Sequence, residues 1–340
     1  CKLMVDKLEE RYLRAFGADY YKTNYNDHTL WVPSTGARLR WMSAEDPKGV
    51  TGFTYTKALT DESQDISDVV MDKFVPTLAI HEASLLSFGT PDITPEQTWF
   101  KDNYVRGQDP EWPTYASATV TAYENPWMAL DSILDAQRRM SSREFEMLFL
   151  GNWVDEEGGV FQNWETSLLH ESAIPAYDSR RKYCLGIDLA VHEDFNVVYL
   201  ADASTRTVIK MWRWNKTHET ITYDRIVDIW EDHGRPYTVA DASGLGRPMV
   251  TELQGRGMQI TGLVITSANK LNLVKTLASD MEHRRIMFPP YPALKRELNA
   301  FMYHATPSGK LTARAASGYN DDMIMALVMV NEALRQSGSG

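Results

Sequence analysis

Carboxylates at the ends of apolar runs are the residues of this sequence best suited to do chemistry. Asp188 closes Tyr183-Cys184-Leu185-Gly186-Ile187-Asp188, and Asp241 closes Tyr237-Thr238-Val239-Ala240-Asp241. Asp321 and Asp322 open the apolar stretch Asn320-Asp321-Asp322-Met323-Ile324-Met325-Ala326-Leu327. A carboxylate at the end of a buried strand is costly unless something offsets its charge. Three such positions on elements able to converge point to a divalent-metal site, because a hard cation such as Mg²⁺ takes oxygen ligands and needs few carboxylates. Two cations about 3.5–4 Å apart, bridged by one carboxylate, make up the apparatus of phosphodiester cleavage. In that scheme Asp188 bridges, Asp241 holds one metal and Asp322 or Asp321 approaches from the last helix. Asp194, in the turn after Asp188, binds through water, and His192 and Glu193 are candidate extra ligands. Taken singly, each carboxylate reads equally well as a turn or N-cap residue. The metal reading rests on all three together.

Several elements must position these residues. Strands are expected at 183–190, 195–203 and 207–214, rich in Val, Ile, Tyr and Trp with turn residues between them. The short gaps make these three an antiparallel meander. A helix at 218–232, a strand at 237–241, a helix at 247–256, a strand at 260–266 and helices at 269–284, 291–304 and 320–335 follow. The result is α/β: a mixed sheet flanked by helices. With the first strand beside the fourth, Asp188 and Asp241 meet at the edge where ligands bind in open α/β sheets.

The first half has a helix at 3–16, extended segments at 29–33 and 37–42, strands at 54–60 and 83–88, and helices at 127–137 and 141–149. It reads as a parallel-sheet pattern with polar loops at the carboxyl ends. Residues 156–180, with Gly158-Gly159, Pro175 and the charged Asp178-Ser179-Arg180-Arg181, read as a linker between residues 1–155 and 181–336. The strand at 54–60 runs into Asp61-Glu62, the form of a Walker B strand. There the Asp would hold the Mg²⁺ of ATP and the Glu would polarise the attacking water. No Gly-x-x-x-x-Gly-Lys-Ser/Thr loop occurs in the 340 residues.

Composition narrows the class. The chain is 43% hydrophobic and 24% charged, an ordinary globular balance. No apolar run approaches the ~20 residues of a membrane helix, so no membrane partner is expected. Two cysteines, Cys1 and Cys184, cannot build a disulfide framework and point to a reducing, intracellular setting. The net charge of -11 argues against bulk electrostatic binding of nucleic acid but leaves room for local contacts. Lys270, Arg284 and Arg285 are the candidates, with a solvated helix face as the alternative reading of each. Cys1 is not an initiator methionine, so the chain is expected to be processed or a fragment.

Taken in order, the motifs resemble the large terminase subunit of tailed bacteriophages, the DNA-packaging motor and nuclease. Gly36-Ala37-Arg38-Leu39-Arg40-Trp41 and Ser43-Ala44-Glu45-Asp46-Pro47-Lys48-Gly49 resemble the stretch leading to that family's Walker B strand. Leu59-Thr60-Asp61-Glu62 resembles Walker B itself, and Ser87-Phe88-Gly89-Thr90-Pro91 the ATPase coupling motif. Glu124-Asn125-Pro126 and the stretch from Phe145 to Trp153 resemble the close of the ATPase domain. Gly186-Ile187-Asp188, with Asp194, Asp241 and Asn320-Asp321-Asp322, resembles the ribonuclease H-like nuclease site. Asn320 stands where the family often has His, which removes one extra ligand or base.

The resemblance implies a partial P-loop-type ATPase domain, lacking its Walker A part, followed by a ribonuclease H-like nuclease domain. It implies Mg²⁺ (with Mn²⁺ substituting) and, in the complete protein, ATP. It also implies double-stranded DNA, a portal protein and a small terminase subunit as partners, a homo-oligomer on the procapsid, and the host cytoplasm as setting. Two other readings remain: a catalytically silent module that binds DNA or docks on the portal, and an actin-like or sugar-kinase-type ATPase, for which no second phosphate loop is found.

Overall fold

The structure, a computed structural model, describes residues 2–16, 20–44, 50–91, 98–154, 159–190, 194–244, 246–267, 269–305 and 311–337. Residues 45–49 of the pre-Walker B stretch, Glu156-Glu157-Gly158, and His192 and Glu193 lie outside the described residues. The chain forms two compact units: Cys1–Pro91 with Glu96–Ala118, and Asp92–Pro95 with Thr119–Gly340.

In the first unit, α1 (Lys2–Phe16) precedes a three-stranded antiparallel sheet of β1 (Lys22–Asn24), β2 (Thr29–Val32) and β3 (Ala37–Arg40). Leu30 and Val32 of β2 are buried and alternate with exposed residues, the period of a strand with one face covered. A parallel pair follows, β4 (Lys57–Thr60) and β5 (Ser84–Ser87), connected through α2 (Asp68–Ala79); α3 (Trp99–Gln108) closes the unit. Neither α2 nor α3 was expected. Pro76 lies inside α2, where proline usually stops a helix, and α3 has no buried residue and so no apolar stripe.

The second unit opens with α4 (Leu130–Arg139) and α5 (Ser142–Leu148) and is built on a five-stranded mixed sheet. Its strands are β6 (Tyr183–Asp188), β7 (Asn196–Asp202), β8 (Thr207–Trp214), β9 (Tyr237–Asp241) and β10 (Ile260–Leu263), in the order β10-β9-β6-β7-β8. β6, β7 and β8 are the expected antiparallel meander, and β6, β9 and β10 run parallel. Helices α6 (Glu219–Asp232), α7 (Gly246–Gly255), α8 (Lys270–Glu282), α9 (Pro292–Ala300) and α10 (Asp322–Ser337) complete the unit. The helix expected to 304 stops at Ala300. Phe301–Ala305 becomes strand β11, paired with β12 (Leu311–Ala315), as the aromatic side chains of Phe301 and Tyr303 favour.

Alternation along the strands sorts the core into two layers. Tyr183, Leu185 and Ile187 of β6 pack with Ile226, Ile229, Met249 and Leu253 of α6 and α7. Cys184, on the other face, packs with Val274 and Leu277 of α8, Leu298 of α9 and the apolar side chains of α10. From Met323 to Asn331 every residue of α10 is buried. The helix therefore has no polar face there, and no apolar stripe marks one side from another.

Residues 159–180 pack within the second unit. Trp164 is buried and its Nε1 donates to Asn299 Oδ1 at 3.2 Å, and the Leu169 amide donates to the Phe288 carbonyl at 3.0 Å. α4 and α5 also belong to this unit, because Ser279 Oγ donates to the Arg139 carbonyl (2.7 Å), the Ser142 amide to Glu282 (2.8 Å), and Lys275 pairs with Glu144 (3.2 Å). Among the described residues, no helix is long and apolar enough to cross a membrane.

Candidate active site

β6 and β9 run parallel with Ile187 opposite Ala240, so the next residues, Asp188 and Asp241, end neighbouring strands side by side. Residues 184, 186 and 188 share one face of β6, and 239 and 241 one face of β9. Cys184 and Val239 place that face against α10. Gly186 makes the close approach possible, since a Cβ there would overlap the backbone of Val330. α10 runs antiparallel to β6: Cys184 Sγ meets Ser337 Oγ at 3.3 Å at one end, and Asp322 lies toward Asp188 at the other. Gly246, at the start of α7, is likewise required, because a Cβ would meet the Asp241 carbonyl.

The electrostatics record the convergence. The Asp188 carboxyl is pushed well above the usual carboxylate range, first by burial and then by the negative charges of Asp322, Asp241, Asp321 and Glu297. Asp322 is raised too, chiefly by burial, with Asp194 and Asp321 adding repulsion while the Phe195 amide and Arg213 oppose it. Each of the other carboxylates has taken a local partner. Asp241 Oδ1 accepts from the Ser243 amide (2.7 Å), and Asp322 Oδ2 from the Phe195 amide and Asn320 Nδ2 (3.4 Å each). Asp321 pairs with Lys270 Nζ at 3.3 Å. Among the described residues, no three His, Cys, Asp or Glu side chains stand together in metal-ligating geometry. These donors hold the carboxylates around Asp188, where like charges repel one another. Asp194 is exposed on the rim.

Glu297 of α9 was not singled out from the sequence. It is buried, its Oε2 accepts from the Met323 amide (2.9 Å) and the Ile324 amide (3.3 Å), and Arg213 lies 4.0 Å from its Oε1. Burial pushes its carboxyl up to about 7, opposed by the two amide bonds.

The basic candidates divide. Lys270 belongs to the carboxylate site through Asp321. Arg284 is exposed, with its backbone in the left-handed region. Arg285 is half-buried and bonded: Nε bonds the buried Asp280 at 2.6 Å and Nη1 the Arg138 carbonyl at 2.7 Å. Asp280 also receives Asn331 (2.9 Å) and Arg335 (3.3 Å), so Arg285 is part of an ion-pair network around a buried carboxylate.

In the first unit, Asp61 and Glu62 are both exposed at the end of β4. Glu62 adopts the left-handed conformation (φ 50) and its Oε2 accepts from Gln64 Nε2 at 2.8 Å. Gln64 Oε1 in turn accepts from the Thr90 amide (3.0 Å), and the Ser63 amide donates to the Phe88 carbonyl (2.8 Å). The Asp61-Glu62 turn is thus tied to the Ser87-Phe88-Gly89-Thr90-Pro91 segment.

Strand order, paired carboxylates at parallel strand ends and a helix laid across them define a ribonuclease H-like domain. Residues 185–333 match the family described as Terminase RNaseH-like domain. The terminase large subunits of Thermus virus P23-45 and Thermus phage G20c are each 24% identical over 320 residues, covering 86% of this chain and 64% of their own length. The crystal structure of the large terminase from the thermophilic bacteriophage D6E shares the fold over 95% of this chain and 80% of its own, at 16% identity and a TM-score of 0.54. The chain is similar to the large subunits of phage terminases, and it spans 64% of the length of the two Thermus phage relatives.

Proposed function

We propose that this chain carries the metal-dependent endonuclease of a DNA-packaging terminase. The observation that supports it best is the clustering of the half-buried Asp188 with Asp322, Asp241 and Asp321 at the carboxyl end of β6. The donor set fits a divalent cation: every candidate is a hard oxygen ligand, and the raised carboxyls of Asp188 and Asp322 mark uncompensated negative charge. Asp188 would bridge two ions, Asp241 and Asp322 would hold one each, Asp321 would stand behind Asp322, and Asp194 would bind through water. Bound Mg²⁺, or Mn²⁺ in its place, would supply an activated water and Lewis-acid stabilisation of the phosphoryl oxygens. The protein's part is to hold its carboxylates on rigid elements. Asp188 and Asp241 lie on paired strands and Asp322 on the buried α10, so little ordering remains when substrate arrives.

The substrate is concatemeric double-stranded viral DNA, approached through Lys270 and Arg284. In the complete protein the cut is coupled to ATP-driven translocation into a procapsid, with the portal protein and small terminase subunit as partners and a homo-oligomer on the procapsid in the host cytoplasm. Asp61 would hold the nucleotide's Mg²⁺ and Glu62 orient water, with a phosphate loop that residues 1–340 do not contain. The test is incubation of the chain with supercoiled plasmid and Mn²⁺, with EDTA as control. Metal-dependent nicking and linearisation are expected, and intact plasmid at every metal concentration would leave only a DNA-binding or docking role.

A further inference from the structure

We propose that Glu297 is a positioning residue for the carboxylate site, because it caps α10 in place of the helix's own aspartates. The inference rests on the metal-site reading above. The first amides of a helix have no intrahelical partner, and an Asp at the N-cap usually satisfies them with its own side chain. Asp321 occupies that position, since its carbonyl accepts the first helical bond, from the Met325 amide at 2.8 Å. Its carboxylate does not cap. It pairs with Lys270, and Asp322 bonds the Phe195 amide and Asn320. The amides an N-cap aspartate would serve, those of Met323 and Ile324, both go to Glu297 Oε2.

Glu297 is suited to the task. It is 4% exposed, on a helix whose Leu294 and Leu298 are in the core, and Arg213 lies 4.0 Å from its second oxygen. Arg213 also stacks at 3.4 Å on Phe195, the residue whose amide holds Asp322. A carboxylate from α9 therefore does the capping, and Asp321 and Asp322 keep their oxygens for the site. Without Glu297, the nearest acceptor for the Met323 and Ile324 amides is Asp321 itself. Turning inward to cap, it would leave Lys270 and drag the start of α10, with Asp322, out of place.

The experiment is Mn²⁺ titration calorimetry of the 340-residue chain and two variants. Glu297→Met keeps the volume and removes the acceptor, while Glu297→Gln keeps an amide oxygen that can take both N–H bonds. The Met variant should bind Mn²⁺ about 10- to 100-fold more weakly, the range seen when groups that orient metal ligands are removed, and the Gln variant within about threefold of the parent. Circular dichroism establishes that both are folded. If the Met variant is unfolded, Glu297→Ala takes its place, with the same expectation. Parent-like affinity without an acceptor overturns the proposal, and so does equal weakening in the Gln variant, which would make charge rather than capping the cause. A parent chain that binds no Mn²⁺ refutes the metal-site reading itself, a distinct outcome.

Discussion

Replacing Gly186 by Ala tests how the fold sets the site. An added methyl would stand 2.5 Å from both Cα and Cβ of Val330 and closer still to its amide nitrogen. Ordinary carbon contacts begin near 3.4 Å, so α10 must withdraw from β6 by about 1 Å. Neither side can yield cheaply: Val330 is fully buried within α10, and the flanking Leu185 and Ile187 are fixed in the opposite layer. Overpacking of this kind costs about 3 kcal/mol. For a unit of this size that corresponds to a fall of roughly 6–12 °C in melting temperature. The functional loss should exceed the stability loss, because α10 carries Asp322 and a displacement of about 1 Å in a catalytic group costs on the order of 100-fold. Differential scanning calorimetry with plasmid cleavage at 20 °C, where the variant remains folded, separates the two. A Gly186→Ala protein that melts with the parent and cuts at the parent's rate would refute the argument that backbone contact between β6 and α10 positions Asp322.

The buried Glu297 makes stability depend on pH. Its carboxyl rises from 4.5 to about 7, so between those values the folded state keeps a proton that the unfolded state has released. Stability is favoured at low pH and lost as pH rises through about 7. At about 1.4 kcal/mol per unit, the loss is on the order of 3.5 kcal/mol, and Glu297→Gln should escape it. Urea unfolding in EDTA at pH 5 and pH 8 should show the variant's advantage growing with pH, and an equal gap at both values would contradict the assignment. Arg285→Ala should cost about 2 kcal/mol by removing one partner of the buried Asp280, whereas Arg284→Ala should leave melting unchanged and weaken only DNA binding. Equal melting of the two variants would reverse their roles. ATP should be hydrolysed by residues 1–340 only at background rate, since no phosphate loop is present to position it. Adding a segment that supplies the loop should restore hydrolysis, and Glu62→Gln should then abolish it. Robust turnover by the 340 residues alone would show that another loop holds the phosphates.

The legible parts of the molecule are those where one local pattern forces the outcome. Gaps too short for crossovers between β6, β7 and β8 imply the meander, while the pairing of β6 with β9 that sets Asp188 beside Asp241 was expected only from a ribonuclease H-like arrangement. Period two along β6 then puts Asp188 on the same face as Gly186 and α10. Glu297 was illegible because Lys295-Arg296-Glu297 looks like a solvated helix face, and only tertiary packing shows that α9 turns Glu297 inward. The pair Arg284-Arg285 looks uniform for the same reason, yet one side chain is exposed and the other is tied to Asp280. The hairpin of β11 and β12 was hidden because Phe301–Ala305 extends an apolar pattern that a helix could also use. In the segment read as a linker at 156–180, glycines, Pro175 and charges dominate the pattern, while Trp164, whose indole is anchored to Asn299, gives it a packed anchor that the pattern did not weigh.

Cleavage of supercoiled plasmid by the parent chain and by Asp188→Asn, in parallel across a Mn²⁺ series, tests the central claim most directly. Asparagine keeps the shape and removes the charge that would bridge two cations, and the fold should persist with equal or higher melting temperature in EDTA because a repelling carboxylate is gone. The account predicts metal-dependent cutting by the parent and none above background by the folded variant. Cutting by Asp188→Asn at the parent's rate would contradict it.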